Sequence, residues 1–278
     1  MKKEYEVLRA PADTAEAAIR RLDEILKILR VECPWDREQN HESIRGCLLE
    51  EAYEVVDAIN NQDDANLREE LGDVLLQVVF HSRMAEEEKR FDLCDVINEE
   101  CEKMIRRHPH VFLEENLKTI DKVLEKWENI KVKESGQPDR TSRLEKVPRA
   151  LPALIRAKKV QKKAADVGFD WNDVAPALDK VNEETCELRE AWMMGDREHM
   201  KEELGDLLFS VVNVARFLDV DPEEALTFTT EKFIRRFAHI EKAAMACGRQ
   251  MEDMSLEELD QLWEQAKQKP GNAPDAGK

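Results

Sequence analysis

Residues that break helices are scarce in this chain: of 278 residues, 9 are Gly and 10 are Pro, and Tyr, a favoured strand residue, occurs twice. That scarcity argues against a hairpin-rich β fold, and no segment shows sustained two-residue alternation between turn signals. No apolar stretch approaches the ~20 residues that cross a bilayer, so no membrane partner is expected. The N-terminus, MKKEYEVLRAPADTAEAAIRRL, lacks the uninterrupted apolar stretch of a secretory signal, which points to the cytoplasm. Six cysteines (33, 47, 94, 101, 186 and 247) form no CxxC pair, and reduced core thiols are expected rather than zinc sites or disulfides. No GxxxxGK(S/T) run occurs, which excludes P-loop chemistry. Positive charge is also short: 43 Lys and Arg against 61 Asp and Glu leave a net charge of -18 and a pI near 4.9. So acidic a surface repels a phosphate backbone, and direct nucleic-acid binding is not expected. A small nucleotide that arrives with its own divalent cation is still compatible.

What remains is rich in Ala, Leu, Glu and Lys, with 42% hydrophobic residues, enough for real cores. The length suits about two domains at ~150 residues each, and the sequence is a tandem repeat. Glu50-Glu51-Ala52-Tyr53-Glu54 followed by Glu69-Glu70-Leu71-Gly72-Asp73 matches Glu183-Glu184-Thr185-Cys186-Glu187 followed by Glu202-Glu203-Leu204-Gly205-Asp206, every pair 133 residues apart. Downstream, Lys103-Met104-Ile105-Arg106-Arg107 echoes Lys232-Phe233-Ile234-Arg235-Arg236, and Trp127 with Lys131 echoes Trp263 with Lys267. The spacing drifts there, as it does when loops differ and helices persist. The polar stretch around Gly136 and Pro138 reads as the junction. The division is therefore an N-terminal helical unit over 1–134, a linker over 135–147, a C-terminal helical unit over 148–269, and a disordered tail over 270–278.

Val74, Leu75, Val78 and Val79 recur at helical spacing after Leu71, and Leu204, Leu207, Leu208, Val211 and Val212 repeat the pattern. Asp221-Pro222-Glu223-Glu224 reads as a helix start, and Ser255 with Glu258 as a capping box. The expected fold is all-α, with four or five helices per half arranged as bundles.

The chemistry lies in the carboxylates. Glu184 and Glu187 are three apart and share a helix face, as do Glu203 and Asp206 on the next helix. Met194, Gly195 and Asp196 form a short connection, so the two helices pack antiparallel and four carboxylates converge. Such a cluster repels itself unless a hard cation intervenes, and oxygen-only ligands select Mg²⁺ or Mn²⁺ over zinc. Gly72 and Gly205, at matching places inside helices, suggest close approach of a neighbouring helix or ligand. Lys232 and Arg236 present two positive charges four apart, suited to phosphate. Trp263 with Lys267, and Lys180 just before Glu183, are further nucleotide candidates. The bland alternative is a solvated acidic face, with the Lys and Arg paired to local Glu and Trp263 in packing.

These blocks, together with Cys33-Pro34-Trp35-Asp36, Arg106-Arg107-His108-Pro109-His110 and Val167-Gly168-Phe169-Asp170-Trp171, resemble the full-length tandem MazG family over about residues 16–268. Asn40 stands where that family commonly has Thr. The resemblance implies hydrolysis of nucleoside triphosphates to monophosphate and pyrophosphate, with Mg²⁺, in a helical homodimer. It also implies metal ligands Glu184, Glu187, Glu203 and Asp206, with Glu51, Glu54, Glu70 and Asp73 as the first-unit set. Glu183 and Glu202 are then outer carboxylates and candidate bases, and Lys232, Arg236, Trp263 and Lys267 nucleotide contacts. His108-Pro109 interrupts the first basic helix, so the second unit is expected to be the main catalyst. The competing readings are a di-iron bundle, for which only Glu38 with His41 has the right spacing, and a catalytically degenerate nucleotide-binding or protein-interaction scaffold.

Overall fold

The computed structural model describes residues 3–112, positions 119, 120, 122, 123, 126, 127 and 130, and residues 141–268. Among them every regular element is helical, in line with the all-α expectation. The chain forms two compact units, Met1–Glu134 and Ser135–Lys278. Lys131 and the expected tail over 270–278 lie outside the described residues.

The first unit contains α1 (Ala15–Glu32), α2 (Pro34–Glu38), α3 (His41–Asn60), α4 (Asp64–Glu87), α5 (Leu93–Arg107) and a single turn α6 (Pro109–Phe112). Helices α3 and α1 both pack on α4. Their apolar stripes meet in a core of Leu26, Ile44, Val79, Phe80 and Met84. Asn40 caps α3: its side chain accepts from the Ser43 N–H at 2.9 Å, while Ser43 Oγ accepts from the Asn40 N–H at 3.0 Å. Asn thus supplies the acceptor that Thr would. Helix α5 stops at Arg107, where Pro109 cannot continue its hydrogen bonding.

The second unit contains α7 (Thr141–Glu145), α8 (Ala153–Ala165), α9 (Ala175–Met194), α10 (Arg197–Phe217), α11 (Pro222–Ala246) and α12 (Leu256–Lys267). The described part of the stretch over 135–147 is thus largely helical, and Val147 within it is buried. Helices α9 and α10 form the hairpin, α8 packs on α10, and α11 on α12. Asp221 and Ser255 cap α11 and α12, as their sequences suggest.

The repeat extends to the hairpin turn. Gly195 ends α9 at φ 73°, and Asp196 caps α10; in the same register Gln62 sits at φ 55° and Asp63 caps α4. The turn needs a left-handed residue, which Gly supplies freely and Gln at a cost of about 1 kcal/mol. Two expectations are corrected. Cys94, Cys101, Cys186 and Cys247 are exposed, and Cys33 and Cys47 half-buried, so none is a core thiol; the cysteines fall beside the apolar stripes rather than in them. A Cβ built on Gly72 or Gly205 meets nothing within 4 Å, so among the described residues no neighbouring helix approaches either one closely, which leaves the ligand as the other half of that expectation.

Candidate metal and nucleotide site

In the second unit the hairpin brings Glu184, Glu187 and Glu203 together, one carboxylate oxygen from each lying within 4.8 Å of the others. The i,i+3 spacing aims the two α9 carboxylates across the hairpin, and Gly195 with Asp196 sets the register in which α10 answers. Glu184 and Glu203 are buried, at 4% and 8% exposure, which an unpaired carboxylate would not tolerate. Each has a partner. Lys180 Nζ lies 2.6 Å from Glu184 Oε1 and 2.9 Å from Glu183 Oε1, and His199 Nε2 lies 2.8 Å from Glu203 Oε1. The Lys180 ammonium is held well above its ordinary range, first by Glu183 and then by Glu184. Glu187 is pushed up by desolvation and by its hydrogen bond to Glu184. Asp206, the fourth expected ligand, is not in this close group, but it lines the same cavity as Glu184. Glu202 is exposed, in an open recess with His199 and Asp206.

The first unit repeats the cluster with Glu51, Glu70 and Asp73 within 4.8 Å of one another. Glu54 shares hydrogen bonds with Glu51 and Glu70, so all four expected carboxylates interact. Desolvation raises the Glu51 and Glu70 carboxyls, and mutual repulsion raises them further. One difference is chemical: the positions of Lys180 and His199 are occupied here by Cys47 and Asn66. The first cluster therefore lacks both the ammonium and the imidazole that pair with the second.

The expected phosphate and base contacts lie elsewhere in the second unit. Arg236 stacks on Trp263 at 5.5 Å, Trp263 meets Phe233 at 5.1 Å, Lys232 lies 5.6 Å from the Phe228 ring, and Lys267 pairs with Glu264 at 2.5 Å. None of Lys232, Arg236, Trp263 and Lys267 lines the cavity beside the carboxylates. In the first unit Trp127 packs 6.3 Å from His108.

The cavity itself, about 610 Å³, was not foreseen. From its acidic end at Lys180, Glu184 and Asp206 it runs past Gln161 of α8 and Asn213 of α10 to Phe169 and Trp171. Asp170 between those rings is clamped by Arg216, with Nη1–Oδ2 at 2.9 Å and Nη2–Oδ1 at 2.5 Å. Arg216 Nε also donates to Asn213 Oδ1 at 2.9 Å. The GFDW motif was a sequence signal for the loop, and His199, four residues before Glu203, was one for the partner of that carboxylate. Nothing in the sequence flagged Gln161 or Asn213.

The donor set is carboxylate oxygen throughout, the chemistry of a hard divalent cation. Ligand oxygens on opposite sides of Mg²⁺ lie about 4.2 Å apart, so clusters of 4.8 Å close on such an ion with small rotamer changes.

Comparison with known proteins gives the family. The MazG nucleotide pyrophosphohydrolase domain matches twice, over residues 39–112 and 168–240. A nucleoside triphosphate pyrophosphohydrolase of Escherichia coli is 46% identical over 84% of this chain and 90% of its own length. The nucleoside triphosphate pyrophosphohydrolase/pyrophosphatase MazG of Thermotoga maritima is 46% identical over 84% of this chain and 89% of its own. The crystal structure of a mazG-related protein from Thermotoga maritima, 31% identical, covers 41% of this chain and 98% of that one, with a TM-score of 0.37. With the domain matched in both halves, and with relatives of this identity along most of its length, the chain belongs to the MazG nucleotide pyrophosphohydrolase family.

Proposed function

We propose that the protein hydrolyses nucleoside triphosphates to nucleoside monophosphate and pyrophosphate, in the house-cleaning or regulation of cytoplasmic nucleotide pools. The observation that carries this is the buried carboxylate cluster opening onto an aromatic cavity of nucleoside size. Glu184, Glu187, Glu203 and Asp206 would hold Mg²⁺, or Mn²⁺, and Glu51, Glu54, Glu70 and Asp73 are the first unit's set. The ion, when bound, neutralises phosphate charge and acidifies a water. Lys180, displaced from Glu184, turns its ammonium to a phosphate oxygen. Glu183, freed of Lys180, or Glu202 accepts the proton of the attacking water. Phe169 and Trp171 offer the base a stacking surface.

Lys232 and Arg236 keep their place as charges for the departing pyrophosphate once a homodimer forms. Large apolar side chains left exposed along α9 and α10, among them Leu178, Trp192, Leu204 and Leu208, support that assembly. Among the described residues no helix is long and apolar enough to cross a membrane.

The test is incubation with each nucleoside triphosphate and Mg²⁺, with product identified as pyrophosphate or orthophosphate. Glu184→Ala should abolish the second unit's turnover and keep helicity, with Glu51→Ala reporting on the first. Full Mg²⁺-dependent turnover in both variants would refute the assignment, and an inactive wild-type chain would favour the scaffold reading.

A further inference from the structure

The cavity contains one polar group whose bonding is incomplete. Gln161 is 93% buried, and its Nε2 donates to the Phe209 carbonyl at 2.7 Å. A carbonyl oxygen can only accept, so this bond fixes which end of the amide is which: the NH₂ is held against α10 and the Oε1 points away from it. That Oε1 is buried and has no hydrogen-bond partner. Buried acceptors are nearly always paired; this one belongs to a side chain that lines the cavity, and a ligand donor that reaches it as the groups covering it shift would stabilise it. Asn213 on the same wall is oriented as well. Its Oδ1 is committed to Arg216 Nε, which leaves its amide NH₂ as the end turned to other partners.

We propose that Gln161 reads the nucleobase, its Oε1 accepting a hydrogen bond from an N–H on the base edge, with the Asn213 amide as the donor beside it. This rests on the reading of the cavity as the nucleoside site. A phosphate oxygen only accepts and would leave Oε1 unpaired, whereas a base edge offers donor and acceptor together and can stack on the exposed Phe169 and Trp171 rings of the same cavity, which a sugar alone would not use. Specificity then comes from a group that is satisfied only when the right edge is present. A site of this kind rejects analogues lacking the N–H more strongly than an apolar slot could.

The experiment uses the full-length chain and the Gln161→Leu variant, with Gln161→Met as the second if the first folds poorly. Calorimetric affinities are measured for AMP, GMP, CMP and UMP and for inorganic tripolyphosphate, and turnover for the four triphosphates. The expected result is a loss of about tenfold in affinity for the preferred monophosphate, the same rise in KM and a kcat within about twofold. Tripolyphosphate affinity should be unchanged, and the thermal midpoint of the free protein no lower, because an unpaired acceptor has been replaced by an apolar isostere. A tenfold loss confined to AMP and CMP assigns the donor to an amino group; confined to GMP and UMP, to a ring N–H. Equal affinity of variant and wild type for all four monophosphates would overturn the proposal, as would parallel loss of tripolyphosphate binding. Monophosphate affinity does not depend on turnover, so failure of the hydrolytic reading shows separately, as absence of pyrophosphate from the wild-type chain.

Discussion

Replacing Arg216 by Met should loosen the aromatic loop of the second unit while leaving the carboxylates in place. The Arg216 and Asp170 side chains are 16% and 25% exposed and joined by two parallel charge-assisted hydrogen bonds. A fully buried pair broken on one side costs about 3–5 kcal/mol and a surface pair about 0–1. The exposure here lies between, and a loss of about 2 kcal/mol follows. For a unit of this size that is a fall of about 4–8 °C in the thermal midpoint. Arg216 also orients Asn213 and stacks 4.4 Å from Phe217, so a single substitution removes more than the ion pair. A double-mutant cycle with Asp170→Asn isolates the pair itself. Chemical denaturation of the four proteins should give a coupling near 2 kcal/mol, and KM for nucleotide should rise several-fold in each variant with kcat less affected. A coupling below about 0.5 kcal/mol, or an unchanged KM in both single variants, would refute the clamp.

Lys180→Met should make the second unit's stability depend on Mg²⁺: thermal unfolding in chelator should fall below wild type, and saturating Mg²⁺ should restore more of it than it adds to wild type. An equal Mg²⁺ response in both proteins would remove Lys180 as the stand-in cation. For Asp221, desolvation opposes ionisation, but the Glu224 N–H and Lys158 outweigh it and hold the carboxyl below its usual range. Its contribution is therefore complete above about pH 4 and lost as pH falls through the lower folded value. The gap in thermal midpoint between wild type and Asp221→Asn should accordingly shrink on acidification, and a gap that widens would contradict the sign. Leu26→Ala, at a core position only 1% exposed, should cost the first unit about 3 kcal/mol in chemical denaturation; a loss under about 1 kcal/mol would mean that the core collapses around the gap.

The helical hairpins and their caps were legible in the sequence because each depends on near neighbours. Asp196 reaches only the N–H groups of Glu198 and His199, and Glu184 faces Glu187 by spacing alone. The cluster could be read across two helices because one short turn fixes their register. The cavity could not, since it needs α8 laid against α10, and no local rule says that Gln161 meets Phe209, 48 residues on. The stacking of Arg236 on Trp263 was hidden for a like reason: i,i+4 spacing says that Trp263 and Lys267 share a face, not which helix covers it. Lys180 was read as a nucleotide contact, and its i,i+4 spacing to Glu184 was the local signal for the pair that the structure shows.

Gly72 and Gly205 mark bare ground on the exposed faces of two otherwise well-packed helices. An added methyl would touch nothing among the described residues, and helix propensity alone favours Ala there by about 1 kcal/mol. Intramolecular forces therefore give no reason for either glycine to be there. Whatever exacts a penalty for Ala at these places must come from outside the polypeptide, which makes the pair a listening post for visitors.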